Sequence, residues 1–305
     1  MKIITYRELE RKDDIMMLMD LAFWWPISPR ELEERINSDI RLKNGPAGFC
    51  AIKESRLAGF VGAMDIPTKT IEGNIEMVGG IWGVATNPDF AKQGICRVLM
   101  KAAHDYFRSQ GYRFSFLCTS RTIIAYAFYL KLGYTEVEAV NQFTEVYKVL
   151  ERSESVTQNR CSNLDPQKIY RIYEKLMDDK TGFVIRQKDF VTMFARHKRI
   201  DEQKSILKQK GYALVTEDQS VIKVKDLVAS DESAYEELVE GIEKIAKNGV
   251  IDRLVADEKL LAIYKSKGYR VQKGDNSVLM VKKLSDDEID NVYGKSFCIG
   301  MLDWF

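Results

Sequence analysis

Histidine is nearly absent from this chain of 305 residues: His104 and His197 stand far apart, with no cysteine close to either in sequence. That excludes a mechanism centred on a histidine triad and argues against a zinc site, so no metal is expected. The five cysteines, Cys50, Cys96, Cys118, Cys161 and Cys298, are odd in number, scattered and without paired spacing. A disulfide framework is excluded, and free thiols in a reducing, cytoplasmic compartment fit. No apolar run approaches membrane length, and the N-terminus reaches Lys2 and Arg7 at once, so neither a membrane span nor a secretory leader is expected. Excess charge of either sign is also missing. There are 46 basic and 45 acidic residues, and residues 1–150 alone hold 19 and 18. With no basic arm or stripe there is no counterion release to draw DNA or RNA, and no polybasic cluster holds a lipid surface. A small-molecule or protein partner is the default.

What is present suits a globular chain with two domains: 45% of residues are hydrophobic and 30% charged. Residues 8–22 carry the apolar spacing of an amphipathic helix, and a second is expected over 29–42, opened by Ser28-Pro29. Between them lies Phe23-Trp24-Trp25-Pro26. Strands are expected over 49–53, 57–65 and 74–86. A turn starts at Asn87-Pro88-Asp89 and contains Gly94. From Arg97 the residues Val98, Leu99, Ala102, Ala103 and Phe107 mark a helical face that ends near Gly111. A strand over 113–119, a helix through Tyr129 ending at Gly133 and two strands up to Leu150 complete this half.

Residues 151–166 are polar and aperiodic, which is how a linker reads. Beyond them the sequence echoes itself. Tyr129-Leu-Lys-Leu-Gly133-Tyr134 returns 135 residues later as Tyr264-Lys-Ser-Lys-Gly268-Tyr269, Phe107–Gly111 is echoed by Ile245–Gly249, and Thr144–Leu150 by Val278–Leu284. Two copies of one fold are therefore expected, the second without a counterpart of the Gly94 turn.

The stretch Gly79–Met100 holds an apolar strand, a turn with one glycine and a helix. A helix N-terminus reached through such a turn offers unpaired amides and the positive end of the dipole, which suit a pyrophosphate. On these residues alone an ordinary strand–helix connection is the other reading.

The whole block resembles the GNAT acetyltransferases, and more closely their Eis-like (enhanced intracellular survival) branch. The resemblance rests on Gly80–Pro88, on Tyr129–Tyr134 and on the C-terminal Asp303-Trp304-Phe305. It covers both domains, weakly in the second. It implies a mixed α/β class: tandem GNAT folds, each a twisted mixed sheet flanked by helices, the second degenerate. Residues 1–150 would form the catalytic domain, 165–284 the GNAT-like one, and 285–305 a tail docking toward the first domain, without the sterol-carrier-like third domain usual in that branch. Implied too are acetyl-CoA as co-substrate, a small-molecule or lysine-type amine as acceptor, and a possible homo-oligomer.

For the co-substrate the resemblance points to the strand amides of Val84, Ala85 and Thr86 and to the loop and first turn at Lys92, Gln93, Gly94, Ile95, Cys96 and Arg97. Two positions depart from the family pattern: Ala91 replaces an Arg or Gln, and Cys96 replaces a Gly or Ala. Those departures motivate an alternative, an acyl-CoA-binding sensor or assembly module without turnover. Tyr129 stands where the family keeps its general acid, and a phenol of pKa about 10 stays protonated at pH 7; a core tyrosine is the plainer reading. The attacking ammonium needs a base. In the Eis-like branch this is the chain's terminal carboxylate, here at Phe305, although an apolar tail can also dock for stability alone. Glu76 is the other candidate base, or else a solvated strand-edge glutamate. Asp20, Trp24 and Trp25 fall in the segment that walls the acceptor pocket, where an aromatic face and a carboxylate suit a cationic amine; adjacent tryptophans also commonly fill a core.

Overall fold

The computed structural model describes residues 1–25, 27–140, 143–150, 164–255, 257–274 and 276–305. Most of the linker expected at 151–166, Cys161 within it, and Pro26 lie outside the described residues. The first half runs β1 (Lys2–Thr5), α1 (Asp13–Phe23), α2 (Pro29–Ser38), α3 (Ile40–Lys43), β2 (Gly48–Lys53), β3 (Arg56–Lys69), β4 (Ile75–Thr86), α4 (Ile95–Ser109), β5 (Phe114–Ser120), α5 (Ile124–Lys131), β6 (Thr135–Glu136) and β7 (Phe143–Val149). The second runs α6 (Pro166–Leu176), β8 (Thr181–Phe183), α7 (Phe190–His197), β9 (Ile206–Leu207), β10 (Gly211–Asp218), β11 (Val221–Ala229), α8 (Glu232–Ile245), β12 (Gly249–Val255), α9 (Glu258–Ser266), β13 (Arg270–Lys273), β14 (Ser277–Lys283), α10 (Ile289–Tyr293) and β15 (Phe297–Ile299). A 3-10 turn, Met301–Asp303, follows.

Local chemistry sets several boundaries. The helix expected from residue 8 starts only at Asp13, because Thr5 and Glu8 cap each other's backbone amides around a single 3-10 turn at Tyr6–Glu8. Ser28 and Glu31 form a capping box at α2, with Pro29 at its first position, where its missing N–H costs nothing. The helix expected over 29–42 breaks at Asp39, whose backbone is extended and whose carboxylate caps α3.

Among the described residues the strands form two sheets. The order in the first is β1-β2-β3-β4-β5-β14-β6, with β8 and β15 attached off this path, and in the second β13-β7-β12-β11-β10-β9. The two halves thus exchange strands. β14 from the second half lies between β5 and β6, while β7 from the first lies between β12 and β13. These are the two segments that echo each other in sequence, so each fills in the other's sheet the place its own copy would take. The expected division into 1–150 and 165–284 is crossed by both strands. Val278, Leu279 and Met280 of β14 are fully buried, each contributing about 1.5–3 kcal/mol as an upper estimate.

Helices cover both faces of the first sheet. On one, Leu99, Ala103 and Phe107 of α4 pack with Ile81, Leu117 and Tyr129. On the other, α1 and α2 pack over Phe60, Trp82 and Phe116. No helix of the described residues is long and apolar enough to cross a membrane.

Candidate active site

β4 and β5 are parallel, and their pairing ends early: Gly79, Gly80 and Ile81 meet Ser115, Phe116 and Leu117, and no further pair follows. Beyond that point each strand is held by its outer neighbour. Thr86 pairs with Gly59 of β3, and Cys118, Thr119 and Ser120 pair with β14. The two strands therefore part like a fork, leaving one edge of Trp82–Thr86 without a partner strand. An irregularity between Phe60 and Gly62 of β3, opposite Gly83 with its positive φ of 58°, widens the departure.

Facing the fork, α4 starts at Ile95 after Gly94, whose φ of 75° only glycine adopts without strain. No side chain caps α4, so its first amides are free and carry the positive end of the dipole. Lys92, Gln93, Gly94 and Arg97 are exposed, Ile95 is buried and Cys96 half-buried. The Cys96 thiol and the Thr86 hydroxyl lie 2.8 Å apart, joining the first turn of α4 to the end of β4. Lys53 on β2 reaches Gln93 with a hydrogen bond of 2.5 Å. That places a cation at the turn where Ala91 supplies none, and nothing in the spacing of residues 79–100 could have pointed to it.

Tyr129 approaches the fork from the α4 face. It is 6% exposed, and burial, followed by the nearby Cys96 thiol, raises its phenol well above the ordinary value. Among the described residues its hydroxyl has no hydrogen-bond partner. Its neighbour Tyr134 differs: its hydroxyl bonds Ser115 at 2.7 Å and His104 at 2.8 Å, with burial holding the imidazole neutral at a pKa of about 4. In the core of the second lobe Tyr264 bonds Asp252 at 2.8 Å, while the buried hydroxyls of Tyr6 and Tyr269 have no partner among the described residues.

The tail comes from the opposite face. Phe305 lies over β4, close enough that a Cβ on Gly80 would meet its ring at 3.2 Å, and its backbone lies near the Cys118 thiol on β5. Before that, the turn Met301–Asp303 touches β11 and β12. Those strands form a second fork, parallel only from Val221–Lys223 against Gly249–Ile251. Here Arg186 binds Asp226 of β11 at 2.6 Å and Asp303 at 2.7 Å, its side chain 2% exposed. The helix beyond this second fork, α8, is capped by its own Asp231 carboxylate. The second lobe is thus filled by the tail and closed to an anion by that cap.

Three expected site residues are not brought together here. Glu76 sits at the far end of β4, paired with Arg113 at 2.5 Å, because the 12-residue strand carries it away from the fork. Asp20 is exposed. Trp24 is 89% exposed and ends α1 in a left-handed conformation, which turns it to solvent. Trp25 does approach the fork, but its ring is already covered by Arg35 at 5.2 Å. Lys53, Arg35, Arg186 and Asp226 are the residues that sequence reasoning missed.

Residues 12–134 match the model of the acetyltransferase (GNAT) family. The match spans most of the first lobe, from α1 to the end of α5. No curated protein matches the chain by sequence. Solved structures do match in fold. A probable N-acyltransferase from Enterococcus faecalis V583 is 16% identical, with a TM-score of 0.67 over 93% of this chain and 72% of that one. Eis1 from Mycobacterium abscessus is 15% identical, with a TM-score of 0.63 over 93% and 74%. A tandem GNAT protein from the clavulanic acid biosynthesis pathway is 12% identical, with a TM-score of 0.55 over 94% and 99%. At these identities the likeness is one of fold, and it covers both lobes, so the mixed α/β tandem architecture stands. The match of the first lobe supports an N-acetyltransferase, and the fork, the uncapped α4 and Tyr129 all lie within the matched stretch.

Proposed function

We propose that this chain transfers the acetyl group of acetyl-CoA to a primary amine by direct attack in a ternary complex, as an Eis-like enzyme of the cytoplasm. The residues present fit the co-substrate. The free amides of Ile95, Cys96 and Arg97, with Lys53, Lys92 and Gln93 around them, suit a pyrophosphate, and the unpaired edge of Val84–Thr86 offers donors to a thioester and to the oxyanion that develops on it. In the reaction the amine nitrogen bonds the carbonyl carbon, the carbon–sulfur bond breaks and the thiolate leaves. Tyr129 gives that thiolate its proton. The proton of the attacking ammonium goes to the base, for which the resemblance implies the terminal carboxylate at Phe305, whose backbone lies near Cys118 at the fork.

One observation carries this reading: a buried phenol with no hydrogen-bond partner among the described residues stands beside Cys96 in the uncapped first turn of α4, while Tyr134 next to it bonds Ser115 and His104. No residue among those gathered here pairs a nucleophile with a base, so no acyl-enzyme is needed. Thermal-shift titration with acetyl-CoA, combined with thiol release over a panel of amines, tests the proposal. A raised Tm together with thiol release that depends on the amine is expected. A raised Tm without release on any amine would support a sensor instead.

A further inference from the structure

We propose that the acceptor is an amine that also carries a carboxylate, and that Arg35 is the residue that holds this carboxylate. The inference rests on the transferase reading and deepens it. Tyr129 works from the α4 face of the sheet, so the acceptor enters from the other face, where α2, Trp25, Trp82 and the tail meet.

Arg35 on α2 stands there, half-exposed, its guanidinium carbon 5.2 Å from the centre of the Trp25 ring and 5.9 Å from that of Trp82. The rings flank the guanidinium, yet among the described residues nothing accepts a hydrogen bond from it and no carboxylate lies within ion-pair distance. The side-chain carboxylates of this region are taken, and the terminal carboxylate is the one the reaction uses as its base. Asp39 binds Arg41 at 2.7 and 2.9 Å, and Asp226 and Asp303 share Arg186.

A second cation stands close by. Lys198 donates to the Trp304 carbonyl at 3.0 Å and meets no carboxylate. Burial, then the charges of Arg35 and Arg41, lower its pKa to about 7. His197 is lowered by burial and by Arg35 as well, although Asp39 and Glu34 act against this, and its ring bonds Ser38 at 2.9 Å. Arg35 and Lys198 are both partly exposed and have no carboxylate partner among the described residues, so this face has cations to spare. A guanidinium placed beside two aromatic rings with its donors free suits a planar, two-oxygen anion. A polycationic acceptor meets the reverse: the Trp25 face that could have received its ammonium is occupied by Arg35.

Matched acceptors that differ only in the carboxylate test this in the full chain: lysine against cadaverine, tyrosine against tyramine, with kanamycin as a polycation lacking a carboxylate. The expected result is a kcat/KM at least tenfold higher for the amino acid of each pair, and a preference that shrinks to about twofold or less in Arg35→Gln and partly returns in Arg35→Lys. Higher kcat/KM for cadaverine, tyramine or kanamycin would overturn the inference while leaving the transferase standing, as would an unchanged preference in Arg35→Gln. An acetyl-CoA titration that leaves Tm unmoved, with no thiol release on any amine, would remove the transferase reading and the inference together. The wild-type panel decides even where Arg35 variants fold poorly.

Discussion

Replacing Tyr129 by phenylalanine is expected to lower kcat on the order of a hundredfold or more, the usual size of a lost general acid, while the Kd for acetyl-CoA stays within about twofold. Stability gives a second readout. The Tyr129 hydroxyl has no partner among the described residues, so losing it leaves Tm unchanged or slightly raised. Tyr134→Phe is the control. It removes bonds to Ser115 and His104, each worth about 0.5–1.5 kcal/mol, and lowers Tm with little effect on the chemical step. A Tyr129→Phe protein with normal kcat and a lowered Tm would return Tyr129 to the core. Burial shifts the phenol up, so it holds its proton across the neutral range and into alkali. A loss of activity that follows deprotonation of the phenol near neutral pH is not expected.

The second large effect is on stability. Arg186 stands between Asp226 and Asp303, its side chain 2% exposed, and rests on the Tyr173 ring at 4.0 Å. Arg186→Met leaves two carboxylates buried without their cation, which costs about 3–5 kcal/mol. In a chain of this size that lowers Tm on the order of 10 °C. Because Asp303 is the point where the tail is fastened, Phe305 should also leave β4, and turnover should fall further than acetyl-CoA affinity. Adding Asp226→Asn and Asp303→Asn to Arg186→Met removes the stranded charges and should restore much of the stability but not the seating of the tail. Were the single variant as stable as the wild type in thermal unfolding, the triad would not be what holds the tail.

Much of the fold can be read from the residues. Gly94 requires its left-handed backbone and marks the start of α4, and the Tyr-x-x-x-Gly-Tyr echo at 129 and 264 does mark equivalent helices of two similar sheets. The echo of 144–150 in 278–284 reveals that these strands are equivalent, but equivalence is silent on which sheet each one joins. That choice is made by long-range pairing, β14 against β5 and β7 against β12, which no local pattern encodes. The site is legible in the same degree. Spacing along one strand–turn–helix points to the Gly94 turn, and the resemblance adds Thr86 and Cys96, which the same stretch of chain brings together. Residues supplied from other elements are not visible this way. Lys53 reads as one charge in a β-hairpin, Arg35 as one of several charges on an amphipathic helix, and Arg186 as an arginine in a loop. Glu76 and Trp24 go the opposite way: Glu76 is a candidate by its place on the strand leading to the fork and Trp24 by the segment in which the resemblance sets the acceptor wall, but a 12-residue strand carries the first away and a left-handed helix end turns the second outward.

The most direct test is a crystal structure of the chain with coenzyme A. The pantetheine arm is expected between Trp82–Thr86 and Cys118–Ser120, with the pyrophosphate on the amides of Ile95–Arg97 and the sulfur beside the Tyr129 hydroxyl. Coenzyme A bound at the second fork, or bound at the first with that hydroxyl turned away from the sulfur, would contradict it.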